Sequence, residues 1–168
     1  GAFFKNKTVA VVGGGDVAVE DAIFLARLCK QVYVIHRRDE FRASKSISSK
    51  LLQMDNVTVL WDSVVEKING SDKVESINVV NSKTKEQKTL EVSGVFIAVG
   101  YIPNSQIYSK VVKVDEAGYI IAGENCETSV PGVFAAGDVR TKELRQIITA
   151  AADGANAITA VEKYLNSR

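Results

Sequence analysis

Cysteine is scarce in this sequence of 168 residues: Cys29 and Cys126 are the two, and they stand far apart. Neither belongs to a Cys-x-x-C pair, so no redox or metal role is expected for either. Cys29 falls near the end of an amphipathic stretch, where a buried structural thiol is expected, and Cys126 falls in a loop. Histidine occurs once, at His36, and a lone histidine is more often structural than an acid or base. Net charge is only +1, which provides no broad basic field for nucleic acid. No apolar stretch approaches the roughly 18 uncharged residues needed to span a bilayer. The sequence therefore predicts no nucleic-acid partner, no membrane segment and no metal, and its cysteine usage fits the reducing cytoplasm.

A further absence lies inside the clearest motif. Val9 to Val12 is a short apolar run bounded by glycines, as expected for a parallel strand buried on both faces. Gly13, Gly15 and Ala18 then fit the dinucleotide fingerprint. The first small residue permits the tight turn, the second lets backbone approach a pyrophosphate, and the third allows close helix–strand contact. A helix predicted over Val17 to Cys29 sets Ala18, Ala22, Leu25 and Cys29 on one face, and N–H groups at its start face the phosphates. An NAD site carries a carboxylate about 20 residues on, bonded to the ribose 2′-hydroxyl. Here the second strand ends in His36, Arg37 and Arg38, with Arg42 one helical turn further, and no carboxylate stands directly at the strand end. Fork-shaped cations suit a 2′-phosphate, which a carboxylate would repel. The expected cofactor is NADP(H), with His36 as an adenosine contact.

Beyond the arginines the pattern predicts a helix over Phe41 to Gln53 and a strand over Val57 to Trp61. Three antiparallel strands follow, about Val64 to Ile68, Val74 to Val80 and Lys88 to Val92, separated by turn-rich segments. Val95 to Val99 is another buried strand and ends at Gly100. The expected fold class is α/β: a doubly wound, Rossmann-like domain over residues 1–100 with an inserted three-stranded β-meander. Ligands of such sheets sit outside the carboxyl ends of the strands, which would set Val99 and Gly100 beside the cofactor. A plain turn at Gly100 fits the local sequence equally well. Past Pro103-Asn104 the pattern changes, with short strands predicted at Tyr119 to Ala122 and Val133 to Ala136. A helix crowded with small residues is predicted over Leu144 to Leu165.

Several ordered motifs resemble those of the low-molecular-weight thioredoxin reductases, within the flavoprotein disulfide reductases. Gly1-Ala2-Phe3-Phe4 is similar to the segment that directly follows the redox-active cysteine pair of that family. Gly13-Gly14-Gly15-Asp16-Val17-Ala18-Val19-Glu20, and His36-Arg37-Arg38 with Arg42, are similar to its NADPH motifs. Thr128 to Asp138, ending Phe134-Ala135-Ala136-Gly137-Asp138, resembles its second FAD motif, and Arg145-Gln146 the dipeptide that opens its last long helix. The resemblance implies NADPH contacts at Gly13, Gly14, Gly15, Asp16, Val17, Ala18, Glu20, His36, Arg37, Arg38 and Arg42. It also makes residues 101–168 the C-terminal part of a discontinuous FAD-binding domain. There Asp138, placed by Gly137, would accept hydrogen bonds from flavin ribityl hydroxyls. Arg145 opens the helix, and N–H groups near Gln146 and Ile147 would stabilise negative charge on a reduced flavin. On local sequence Asp138 fits an Asx turn or a helix cap as well.

The resemblance further implies an enzyme in which hydride passes from NADPH to FAD, electrons reduce a cysteine pair, and that pair reduces thioredoxin by dithiol exchange. A cytoplasmic homodimer is the expected setting. Two parts of the family pattern are not in the sequence: the first half of the FAD domain, and the Cys-x-x-C pair, which would end just upstream of Gly1. The expectation is a fragment that binds NADPH, holds FAD weakly or not at all, contains no catalytic residue of its own and does not turn over. Two alternatives stay open. One is a thioredoxin-reductase-like ferredoxin or flavodoxin reductase, which shares both dinucleotide domains without the disulfide. The other is a non-catalytic NADP(H)-binding module.

Overall fold

The computed structural model describes residues 1–167. They divide into two compact units, Gly1–Gly100 and the segment from Tyr101 onward. The first unit contains parallel strands β1 (Thr8–Gly13), β2 (Gln31–Ile35), β3 (Val57–Leu60) and β7 (Val95–Ala98), in the spatial order β3-β2-β1-β7. A separate antiparallel sheet runs β4 (Ser63–Asn69), β5 (Ser76–Asn81) and β6 (Gln87–Glu91). It is the expected meander, with a bulge in β4 between Val65 and Lys67.

Successive side chains on a strand point to opposite faces, so each central strand serves two layers. Val9 and Val11 of β1 and Val32 and Val34 of β2 pack with Ala18, Val19, Ala22 and Leu25 of helix α1 (Asp16–Ala26), and with Leu51 of helix α2 (Lys45–Leu52). Ala10 and Ile35, at alternate positions, pack instead with Ile77, Val79 and Val92 of the meander. The α/β class holds, with helices on one face of the parallel sheet and the meander on the other. Strands covered on both sides have no polar face to show, which is why β1 and β2 are continuous apolar runs. Each fully buried valine or leucine stabilises the unit by roughly 1.5–3 kcal/mol.

Two helix boundaries of the first unit differ from expectation by more than a residue, as does the start of the last helix, at Ile147 rather than Leu144. Helix α1 stops at Ala26, short of Cys29, and α2 starts at Lys45 rather than at Phe41. At α2 the cause is the glycine turn, which draws the segment before Lys45 out of helical geometry. The N–H groups of Arg42 and Ala43 donate to the Gly14 carbonyl at 2.8 and 3.2 Å. The Ser44 N–H donates to Asp16 Oδ1 at 2.9 Å. Arg42 therefore stands on a loop, not one helical turn beyond the other arginines.

The second unit has little regular structure before helix α3 (Ile147–Asn166). Tyr119 to Ala122 and Val133 to Ala136, expected as strands, make isolated bridges only: Ile120 with Val114 and Arg140, and Phe134 with Glu127. A ladder needs a partner of matching length, and turns closed by Gly118 N–H to Asp115 O and Val133 N–H to Val130 O interrupt the neighbours. The apolar core is correspondingly small, built on Val112, Ile120, Ala122 and Ala135. Among the described residues, no helix is long and apolar enough to cross a membrane.

Both cysteines are buried and free. Cys29 donates to the Phe4 carbonyl at 3.3 Å and Cys126 to the Asp153 carbonyl at 3.4 Å. Burial raises both thiols above their ordinary pKa, which keeps them protonated and fits a structural role.

Candidate functional site

A cleft of about 600 Å³ opens in the first unit at the carboxyl ends of β1, β2 and β7, a volume suited to a small-molecule ligand. Gly13, Gly14, His36, Arg37, Arg38, Arg42 and Val99 all line it. The chain thus brings together the turn after β1, the cluster after β2 and the end of β7, which sequence alone could only place at the ends of separate strands. Arg37, Arg38 and Arg42 are exposed, and among the described residues none of the three guanidinium groups forms an ion pair. Free planar donors lining one cleft suit an anion with several oxygens.

The glycine turn explains its own composition. Gly13 has φ +149°, a conformation L side chains rarely adopt, and a Cβ there would run into the Ala98 carbonyl oxygen and lie 2.8 Å from the Ala18 Cβ. Ala18 is fully buried, so its part is to let α1 approach the sheet. At Gly14 a Cβ would overlap the His36 ring. At Gly15, the N-cap of α1, the only neighbour of such a Cβ within 4 Å among the described residues is Arg42 Nη2 at 3.8 Å. The backbone there is open to a ligand, with the first unpaired N–H groups of α1 behind it. Asp16 is engaged by the Ser44 N–H, while Val17 and Glu20 are exposed on α1; Gly100 lies outside the cleft lining at φ +105°.

His36, expected as an adenosine contact, lines the cleft and is deeply embedded. It is 5% exposed, its Nε2 lies 3.0 Å from the Glu40 carbonyl, and its ring stacks on Phe41 with Trp61 edge-on. Burial lowers its pKa, and the Arg38, Arg42 and Arg37 charges act in the same direction. The ring is held neutral as a wedge beneath Gly14.

In the second unit Gly137 and Asp138 open a short 3-10 turn, and Gly137 has φ +81°. Asp138 is exposed. The Gly137 N–H donates to Asp153 Oδ2 at 2.8 Å. Arg140 Nε and Nη2 donate to the same carboxylate at 2.7 Å each, and Lys142 Nζ at 2.9 Å. Asp153 and Arg140 are both 2% exposed. The Arg140 bonds, joined by those of Lys142 and Gly137, hold Asp153 well below the usual carboxylate range against the opposing effect of burial. One carboxylate on α3 thereby fixes the turn that presents Asp138. Gln146 is the N-cap of α3, its N–H is bonded to Thr149 Oγ1 at 3.0 Å and its side chain accepts from the Thr149 N–H, so among the described residues the free first-turn amides are those of Ile147 and Ile148. Arg145 lies over the Tyr119 ring at 3.9 Å, and its Nε is buried without a hydrogen-bond partner.

Sequence reasoning missed two groups. Ser63 to Ile68 of β4 line the cleft; their strand was expected, but its position along the nucleotide side comes only from how the meander packs on the parallel sheet. It also missed the Arg140–Asp153–Lys142 cluster. The available signal was a single carboxylate in the small-residue run Ala150-Ala151-Ala152-Asp153-Gly154.

The family model for pyridine nucleotide-disulphide oxidoreductases matches residues 3–154. A thioredoxin reductase of Peptoclostridium acidaminophilum is 46% identical, the match covering 98% of this chain and 54% of the relative. One of Rickettsia felis is 46% identical over 99% of this chain and 55% of its own length. The crystal structure of thioredoxin reductase from Streptococcus pyogenes superimposes with a TM-score of 0.83 at 45% identity, covering 99% of this chain and 55% of that one. The chain spans about half the length of the curated relatives it matches.

Proposed function

The chain belongs to the pyridine nucleotide-disulphide oxidoreductase family, and from that premise we propose that its first unit is the NADPH-binding part of a thioredoxin reductase. The observation that carries this reading is the cleft in which a glycine turn with open backbone at Gly15 stands beside the unpaired Arg37, Arg38 and Arg42. Gly13 to Gly15 and the start of α1 bind the pyrophosphate through backbone N–H groups. The arginines bind the 2′-phosphate, Val99 and Gly100 border the nicotinamide side, and His36 supports the turn from below.

The donor set of the second unit also fits a flavin. Asp138 is an exposed acceptor for ribityl hydroxyls, the Ile147 amide stands at a helix N-terminus, and the Arg145 Nε is a buried donor without a partner. In the proposed reaction the bound cofactors supply hydride transfer from nicotinamide to flavin and onward reduction of a disulfide that serves thioredoxin. This chain binds and orients the hydride donor, in a cytoplasmic, homodimeric enzyme.

Fluorescence titration with NADPH and NADH tests the reading. The chain is expected to prefer NADPH. The Arg37→Ala, Arg38→Ala double variant should bind NADPH roughly ten- to a hundredfold more weakly, as lost charge-assisted hydrogen bonds imply, with NADH binding unchanged. Equal binding of the two nucleotides by the unmodified chain would refute the 2′-phosphate assignment.

A further inference from the structure

The arginine cluster has two carboxylates close to it in the fold. Asp39 follows Arg38 directly, and Asp62 is tied to the same loop by its N–H, which donates to the Arg38 carbonyl at 3.1 Å. Left to themselves, two carboxylates carried next to the backbone of Arg38 would compete with a phosphate for the guanidinium donors and repel it through space. Yet among the described residues neither pairs with an arginine. Both are taken by Lys83, whose Nζ lies 3.0 Å from Asp62 Oδ1 and 3.4 Å from Asp39 Oδ2.

Lys83 comes from the turn joining β5 and β6, far from the cluster in sequence, and that turn is docked by its backbone. The Ser82 N–H donates to the Asp62 carbonyl at 2.6 Å, and Asn81 Nδ2 donates to the Trp61 carbonyl at 3.3 Å. Asn81 Oδ1 in turn accepts from the N–H groups of Lys83 and Thr84 at 2.9 Å each. The ammonium is therefore delivered to the two carboxylates by a built turn. Neither Lys83, Asp39 nor Asp62 lines the cleft, so the lysine acts on the carboxylates and not on a ligand within it.

We propose that Lys83 is a specificity residue of the nucleotide site: the meander turn uses it to mask Asp39 and Asp62, which keeps Arg37, Arg38 and Arg42 free for a 2′-phosphate. The proposal rests on the reading of the cleft as an NADPH site. It assigns the inserted meander a part in choosing the cofactor, beyond covering one face of the sheet. The physical basis is range. Charges within about 10 Å of each other still interact at moderate ionic strength, so two unmasked carboxylates act on a phosphate but leave an uncharged 2′-hydroxyl indifferent.

The test is titration of the full chain with NADPH, NADH and 2′-AMP at low salt, for the unmodified protein, Lys83→Ala, the pair Asp39→Asn with Asp62→Asn, and the triple variant. Lys83→Ala should weaken NADPH and 2′-AMP by about fivefold, the effect of unmasking two nearby charges, while NADH binding stays constant. Removing both carboxylates in the Lys83→Ala background should restore NADPH binding. Unchanged NADPH binding in Lys83→Ala overturns the proposal, and so does a triple variant that stays weak, because that identifies Lys83 as a direct phosphate contact. An equal loss for NADPH and NADH overturns it as well, in favour of a general structural effect. If the unmodified chain binds none of the three ligands, the nucleotide reading itself falls, an outcome separate from a defect confined to the Lys83 variants.

Discussion

The two units are held together by different physics. In Gly1–Gly100 the interior is made of fully buried apolar strands and a helix: Val9, Val11, Val32, Val34, Ala18, Val19 and Ala22 are all 0% exposed. From Tyr101 onward the apolar cluster is small, and the most deeply buried large side chain is a charged one, Arg140, tied to Asp153 and Lys142. Apolar burial accumulates over many side chains and tolerates the loss of one. A buried ion cluster concentrates stability in a few bonds, and removing one partner leaves a desolvated charge behind. The first unit should therefore lose stability gradually under mutation, and the second abruptly at one site.

The sharpest way to break this contrast is Asp153→Ala. Leaving the buried Arg140 with only the exposed Glu124 carboxylate, at 3.3 Å, as an ion-pair partner is expected to cost about 3–5 kcal/mol. Hydrogen exchange should show protection lost at Gly137 and through α3, with the amides of β1 and β2 as the internal reference. Retained protection at Gly137 would mean that the cluster does not carry the second unit. Replacing Asp153, Arg140 and Lys142 together by apolar residues of similar volume should cost far less.

In the first unit the corresponding single-site effect is steric. Gly14→Ala forces a methyl group into the His36 ring, and overpacking of this kind costs about 1–3 kcal/mol. The thermal midpoint should fall, and nucleotide affinity should fall with it, because the same turn faces the cleft. Normal affinity in a destabilised Gly14→Ala protein would separate the turn from the binding site.

The smallest effect, and the finest discriminator, is acid. Burial depresses the pKa of His36, so the unfolded chain binds that proton more readily than the folded one. The stability carried by the neutral ring is complete above its ordinary value of about 6.5 and is lost as pH falls from there toward the depressed folded value. Asp153 is also depressed, from the carboxylate range. Its contribution is complete above about pH 3.9 and is lost only in stronger acid. Between pH 7 and 5, amide protection near Gly14 should weaken while that of Gly137 holds. The reverse order would contradict both assignments.

Much of the first unit could be inferred before any coordinates, because its signals are local. The period and apolarity of Val9 to Val12, the small residues Gly13, Gly15 and Ala18, and the turn residues of the meander each act within a few positions of themselves. The helix expected from Phe41 lost its first turn for a non-local reason: the amides of Arg42 and Ala43 are claimed by the Gly14 carbonyl. The short strands expected in the second unit failed because strand pairing depends on a partner elsewhere in the chain.

The amino-acid order by itself determined the strand–turn–helix of the glycine fingerprint, the cationic character of the segment after β2 and the resemblance to a reductase family, since each is written in contiguous residues. Only the tertiary structure decided that Arg37, Arg38 and Arg42 stay unpaired while Lys83 takes Asp39 and Asp62, that His36 lies beneath Gly14, and that Asp153 gathers Arg140, Lys142 and the Gly137 amide. The reason is that a charge or an amide has no fixed partner in sequence. Its partner is whichever group the packed elements bring within about 3 Å, and that choice belongs to the folded chain as a whole.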